Sequence, residues 1–139
     1  MIVGLGTDII EIARIAAMVD RHGRLFLERV YTPSEREHCL RRKHANEALA
    51  GRWAAKEAVM KVLGTGFIRG IGWQDIEIVA QRSGRPVVRL HRGAARRARQ
   101  LGITDVLVSI SHCRSYAMAT AIGLGNAPPP PEVQPERDA

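Results

Sequence analysis

Apolar positions change their spacing several times along this chain, and each change marks an element. Ile2 to Thr7 is a dense apolar run that predicts a short buried strand, with a helix beginning shortly after Asp8. Ile12, Ile15 and Val19 form that helix's apolar line, while Arg14, Arg21 and Arg24 make a basic line on it and the loop beyond. Thr32-Pro33-Ser34-Glu35 is a capping box with Pro at the first helical position, predicting a helix from Pro33 to about Lys43. A longer helix follows from Ala45 to Leu63 and stops at Gly64-Thr65-Gly66. Trp73 to Val79 and Val87 to Leu90 predict a strand pair around the turn Arg82 to Pro86, followed by a short basic helix from Gly93 to Leu101. Val106 to Ile110 and Tyr116 to Ile122 are strands flanking a loop, Ser111 to Ser115. Helices and strands come in blocks, which predicts an α+β fold: a small, mostly antiparallel sheet packed on the long helix.

The long helix holds the most informative residues. Its segment from Leu49 to Leu63 is apolar on almost every side, yet Lys56, Glu57 and Lys61 interrupt it. A helix apolar all round is normally buried, and buried charge is costly unless paired or bound to a metal. Lys56 falls in line with Leu49, Trp53, Met60 and Leu63, where a core residue is expected. The competing reading is a solvated stripe, in which Glu57 and Lys61 form an ordinary pair four residues apart worth about 0.2–0.5 kcal/mol.

Composition narrows the partners. The 139 residues suit one domain, residues 1–125, followed by a tail, 126–139, that holds five of the seven prolines and is expected to be disordered. Cys39 and Cys113 stand apart with no metal-type spacing, so two reduced thiols are expected. No apolar run approaches a membrane span and the start lacks signal-peptide character, giving a cytoplasmic expectation with no membrane partner. The net charge of +7 becomes about +9 once the acidic tail is set aside, which points to an anionic partner: a phosphorylated ligand, an acidic protein or nucleic acid.

Candidate chemistry gathers around two carboxylates. Asp8 follows Gly6-Thr7 at a strand end and reads on its own as a helix cap. If it meets Glu57 in space, the two acids and the oxygens of a phosphate ligand form a usual Mg²⁺ donor set. Lys61 and the turns Gly64-Thr65-Gly66 and Gly84-Arg85-Pro86 are candidate anion contacts, and His112 is a candidate phosphate ligand or acid–base group. Arg92, Arg96 and Arg99 share one helix face and read as a solvated face or a nucleic-acid footprint. The six aromatics are scattered and form no stacking platform, so a nucleic-acid partner is not expected.

Taken together, these residues resemble the holo-acyl-carrier-protein synthase family of 4′-phosphopantetheinyl transferases. Gly4 to Ile15 is similar to the family's first motif and Arg52 to Lys61 to its second. Gly64-Thr65-Gly66, Gly84-Arg85-Pro86 and Ser109-Ile110-Ser111-His112 follow in the family's order. The resemblance covers about residues 1–125 and implies transfer of 4′-phosphopantetheine from coenzyme A to a serine of acyl carrier protein, releasing 3′,5′-ADP and serving fatty acid biosynthesis. It would make Asp8 and Glu57 the Mg²⁺ ligands, Glu57 the acceptor of the serine proton, Lys61 a counter-charge to the transferred phosphate, and Lys56 a residue that positions the carboxylates. Arg52, both glycine turns, Arg85, Pro86, Ser111 and His112 would line the coenzyme pocket, although Arg85 stands where many relatives carry Lys. Arg14, Arg21 and Arg24 would meet the acidic carrier. Relatives of this length form homotrimers with each site between two neighbours. A coenzyme-A-binding scaffold without catalysis is the other reading, which the presence of Asp8, Glu57 and Lys61 disfavours.

Overall fold

The structure, a computed structural model, describes residues 1–64 and 70–126. Thr65, Gly66 and residues 127–139 of the tail lie outside the described residues. The order of elements is β1 (Ile2–Glu11), α1 (Ile12–His22), α2 (Arg24–Val30), α3 (Pro33–Leu40), α4 (Ala45–Leu63), a single 3₁₀ turn (Trp73–Asp75), β2 (Ile76–Ala80), β3 (Pro86–Leu90), α5 (Arg92–Gln100), β4 (Ile103–His112) and β5 (Tyr116–Gly125). Two antiparallel sheets result, one ordered β1-β5-β4 and the other the β2-β3 hairpin. The expected α+β class holds.

Alternation along the strands decides how α4 seats. Ala117, Ala119 and Ala121 of β5 are buried, and in register they oppose Ile10, Asp8 and Gly6 of β1 and His112, Ile110 and Val108 of β4. All of these side chains share the face that α4 covers, because successive residues of a strand point to opposite sides. Small residues there let the helix lie close. A Cβ on Gly6 would stand 2.0 Å from the Ala58 carbonyl oxygen, so only glycine fits. Gly64 ends α4 in the left-handed conformation (φ 74°), and its N–H donates to the Met60 carbonyl. On the other face of the sheet Leu5, Ile9, Tyr116 and Met118 remain exposed.

Several boundaries differ from the sequence reading; the strand expected from Trp73 begins only at Ile76, after the 3₁₀ turn, and α3 ends at Leu40. Asp8 is not a helix cap: β1 continues to Glu11, since Ile9, Ile10 and Glu11 pair with Met118, Ala117 and Tyr116. A seven-residue helix, α2, separates from α1 where Gly23 turns with φ 51°, and it is too short for apolar periodicity to reveal. Ser111 and His112 belong to β4, so the connecting loop shrinks to Cys113–Ser115. Both cysteines are unpaired, Cys39 buried and Cys113 exposed. Among the described residues no helix is long and apolar enough to cross a membrane.

Candidate functional site

The close approach of α4 at Gly6 is what brings the two carboxylates together. Asp8 lies two residues beyond Gly6 on the same strand face, and Glu57 and Lys61 bracket Ala58, the residue that Gly6 touches. Lys61 Nζ donates to the Thr7 carbonyl at 2.7 Å and stands 3.6 Å from Asp8 Oδ1. Burial raises the pKa of Asp8 from its ordinary value, and Lys61 offsets part of that rise. Glu57 is raised too, first by burial and then by the negative charge of Asp8, again with Lys61 opposing. Two half-buried acids that repel each other beside one exposed lysine are an under-compensated negative cluster. That is the environment a hard cation relieves.

Lys56 behaves differently from its expected role. Its side chain is fully buried and pairs with the equally buried Glu35 at 2.6 Å, not with Asp8 or Glu57. The remaining ammonium protons go to the carbonyls of Trp73 (2.9 Å) and Ile76 (2.7 Å). Burial pushes the Lys56 pKa down, and Glu35 pulls it part of the way back. The sequence placed charge in a dry position correctly but assigned the wrong partner. Glu35 was legible only as a capping residue, a role it also fills: Thr32 N–H donates to Glu35 Oε1 at 2.8 Å.

A cavity of about 450 Å³ opens on the other flank of α4, within the size range of small-molecule sites. Of the expected coenzyme contacts, Arg52, Gly84, Pro86 and His112 line it. Arg85 and Ser111 are exposed and do not line it, and neither do Gly64, Asp8, Glu57 or Lys61. Arg42, Lys43, His44 and Glu47 also line the cavity and were missed. The Arg41-Arg42-Lys43-His44 run was the available signal. Arg52 is nine-tenths buried, and its Nε has no hydrogen-bond partner among the described residues. A buried guanidinium N–H of this kind calls for an acceptor from a ligand. Positive charge is concentrated enough here that, after burial, Arg52, Arg42 and Arg41 each depress the pKa of His38. One acid faces the cavity: Glu47, 3.5 Å from His112 Nε2.

Arg14, Arg21 and Arg24 are all exposed on or beside α1, and Arg24 pairs with Glu28 at 2.6 Å. They lie away from the cavity lining.

The sequence and the fold of this chain are shared with known proteins. The family model of the 4′-phosphopantetheinyl transferase superfamily matches residues 4–121. A holo-[acyl-carrier-protein] synthase of Moorella thermoacetica is 52% identical over 117 residues, which cover 84% of this chain and 90% of that protein. A holo-[acyl-carrier-protein] synthase structure from Neisseria meningitidis superposes with a TM-score of 0.81 at 32% identity, covering 89% of this chain and 99% of that one. The Helicobacter pylori enzyme, solved in complex with coenzyme A, gives 0.77 at 32% identity, covering 86% and 99%. The chain therefore belongs to the 4′-phosphopantetheinyl transferase superfamily, as an enzyme of the holo-[acyl-carrier-protein] synthase family.

Proposed function

We propose that this enzyme transfers 4′-phosphopantetheine from coenzyme A to a serine hydroxyl of an apo acyl carrier protein. The products are the holo carrier and 3′,5′-ADP, and the reaction supports fatty acid biosynthesis. The observation that carries this reading is the Asp8–Glu57 pair, raised by burial and mutual repulsion and set beside Lys61. The serine oxygen attacks the phosphorus that bears pantetheine, its bond to the 3′,5′-ADP oxygen breaks, and the serine proton passes to Glu57. Lys61, more than half exposed, offers its remaining ammonium protons to the transferred phosphate. Arg52 and His112 grip the nucleotide end, with the Gly84 and Pro86 backbone closing the cavity around it.

The donor set fits Mg²⁺: the two neighbouring carboxylates of Asp8 and Glu57 would supply hard oxygen ligands. When bound, the ion neutralises charge on the coenzyme's diphosphate.

The homotrimer with sites between neighbours is part of the same proposal, and two features support it. Arg52 and Glu57 are five residues apart and so lie about 140° around the helix from each other. One chain therefore offers its acids and its cavity on different flanks, and a neighbour's cavity completes the acid half. The exposed Leu5, Ile9, Tyr116 and Met118 give the sheet an apolar face that another copy would cover. Arg14, Arg21 and Arg24 receive the acidic carrier through complementary charge, an arrangement that acts mainly on association rate.

The deciding experiment is the intact mass of purified apo acyl carrier protein after incubation with this enzyme, coenzyme A and Mg²⁺. A gain of one phosphopantetheine that disappears on chelation is the expected result. No gain with coenzyme A still bound favours a scaffold or another carrier, and no coenzyme binding overturns the reading.

A further inference from the structure

We infer that Lys56 and Glu35 are positioning residues for the coenzyme, a pin that holds three walls of the cavity in register. This rests on the reading of that cavity as the coenzyme site. Every polar atom of the pair is committed, and together the commitments join α3, α4 and β2, the elements that carry the three walls. Lys56 belongs to α4, the helix that supplies Glu47 and Arg52 to the cavity. Glu35 belongs to α3, whose C-terminal end runs into Arg42, Lys43 and His44. The Ile78 N–H donates to Glu35 Oε2 at 3.0 Å and Lys56 Nζ donates to the Ile76 carbonyl at 2.7 Å, which ties in β2. Through its register with β3, β2 carries the turn that ends in Gly84 and Pro86. The Trp73 carbonyl takes the third ammonium proton at 2.9 Å, and the Lys56–Glu35 contact itself, 2.6 Å, joins α3 to α4.

All three ammonium protons of Lys56 are used, and both carboxylate oxygens of Glu35 accept. The pair is therefore closed to substrate, and its effect on the reaction passes through the walls it joins. An apolar contact holds separation but not register, because dispersion contacts are not directional, whereas five directed bonds converge on this pair. The face that carries Arg14 and Arg21 is on α1, which has no bond to the pin.

The test is a volume-conserving apolar replacement, Lys56→Met with Glu35→Leu, which removes the directed bonds while filling the space. The expected result is a KM for coenzyme A raised about tenfold, with the KM for the carrier protein unchanged, since small misplacements of binding groups cost factors of ten to a hundred. Restoring both native residues one after the other recovers the coenzyme KM only when the second is in place. A folded double variant with the wild-type coenzyme KM overturns the inference, as does an equal rise in both KM values. If the double variant does not fold, Glu35→Gln serves: the amide keeps the shape but cannot accept every bond, and its coenzyme KM must rise by about threefold. Amide hydrogen exchange without ligand separates this inference from the reading it rests on. Faster exchange at 42–48 and 82–86 in the variant, with β1 and β5 unchanged, supports the pin even if the wild type transfers nothing. Uniform exchange across all these segments overturns it.

Discussion

Lys56 and Lys61 sit five residues apart on one helix and carry the same charge to opposite ends. On the flank of Lys56 every charge is answered: the ammonium has an acid at 2.6 Å and two carbonyls, all away from water. On the flank of Lys61 the accounts are left open. Asp8 and Glu57 repel each other, burial raises both, and one half-exposed lysine 3.6 Å from Asp8 offsets only part of it. The closed cluster fixes the position of the helix, and the open one leaves charge for a cation and a phosphate. A buried ionic group is thus not evidence of catalysis in itself. What separates the two is whether the protein alone completes the set of partners.

Breaking the open flank has the largest expected effect. Glu57→Gln or Asp8→Asn should lower kcat/KM by about 10²–10³-fold, as loss of a directed charge in an active site commonly does. Because each substitution also removes repulsion, the melting temperature should stay level or rise. Mass-resolved transfer assays and a thermal melt read both, and a variant that loses stability along with activity removes the contrast between the flanks.

Breaking the closed flank should do the reverse. Lys56→Met alone leaves Glu35 buried and unpaired and should cost about 3–5 kcal/mol in urea unfolding. Adding Glu35→Leu should recover only part of that loss: it removes the unpaired buried charge but leaves the Thr32 and Ile78 N–H groups and the Trp73 and Ile76 carbonyls without these partners. Should the double variant be no more stable than the single one, the pair is not the closed unit described here.

Gly6→Ala tests the contact that serves both flanks. A Cβ 2.0 Å from the Ala58 carbonyl oxygen forces α4 away from β1, at a cost of about 1–3 kcal/mol. Transfer should fall further than that loss of stability explains, because Glu57 moves off Asp8.

The pH dependence sharpens the contrast with a smaller effect. With both acids raised in the fold, the folded protein keeps protons that the unfolded chain has released, so their contribution to stability falls as pH rises from the ordinary carboxylate values through the raised ones. Activity follows the opposite sign, since it needs the ionised acids, and is lost as pH falls through the raised values. Rising Mg²⁺ should shift that acid limb downward; a limb at ordinary carboxylate values that ignores Mg²⁺ contradicts the open flank. Smallest is the carrier face: neutralising Arg14 or Arg21 should raise the carrier KM a few-fold and flatten its salt dependence, without changing the coenzyme KM.

The chain alone determined a good deal, for reasons that are local. Thr32-Pro33-Ser34-Glu35 announced α3 because a capping box is satisfied by backbone within four residues, and both of its bonds are present. The apolar wrap of α4 announced burial, and the misfit of Lys56 announced charge in a dry place. Similarity of the first two motifs announced the family, which the matches over residues 4–121 bear out. What depended on distant pairing was not legible. Asp8 looked like a helix cap until β5, over a hundred residues later, extended β1 past it. Glu35 as the partner of Lys56, and Arg42 to Glu47 as cavity lining, follow from how α3, α4 and the β2-β3 hairpin close on one another. Sequence spacing reports periodicity within an element and the needs of its ends; which charge answers which across elements is set by packing, and only the tertiary structure decides it.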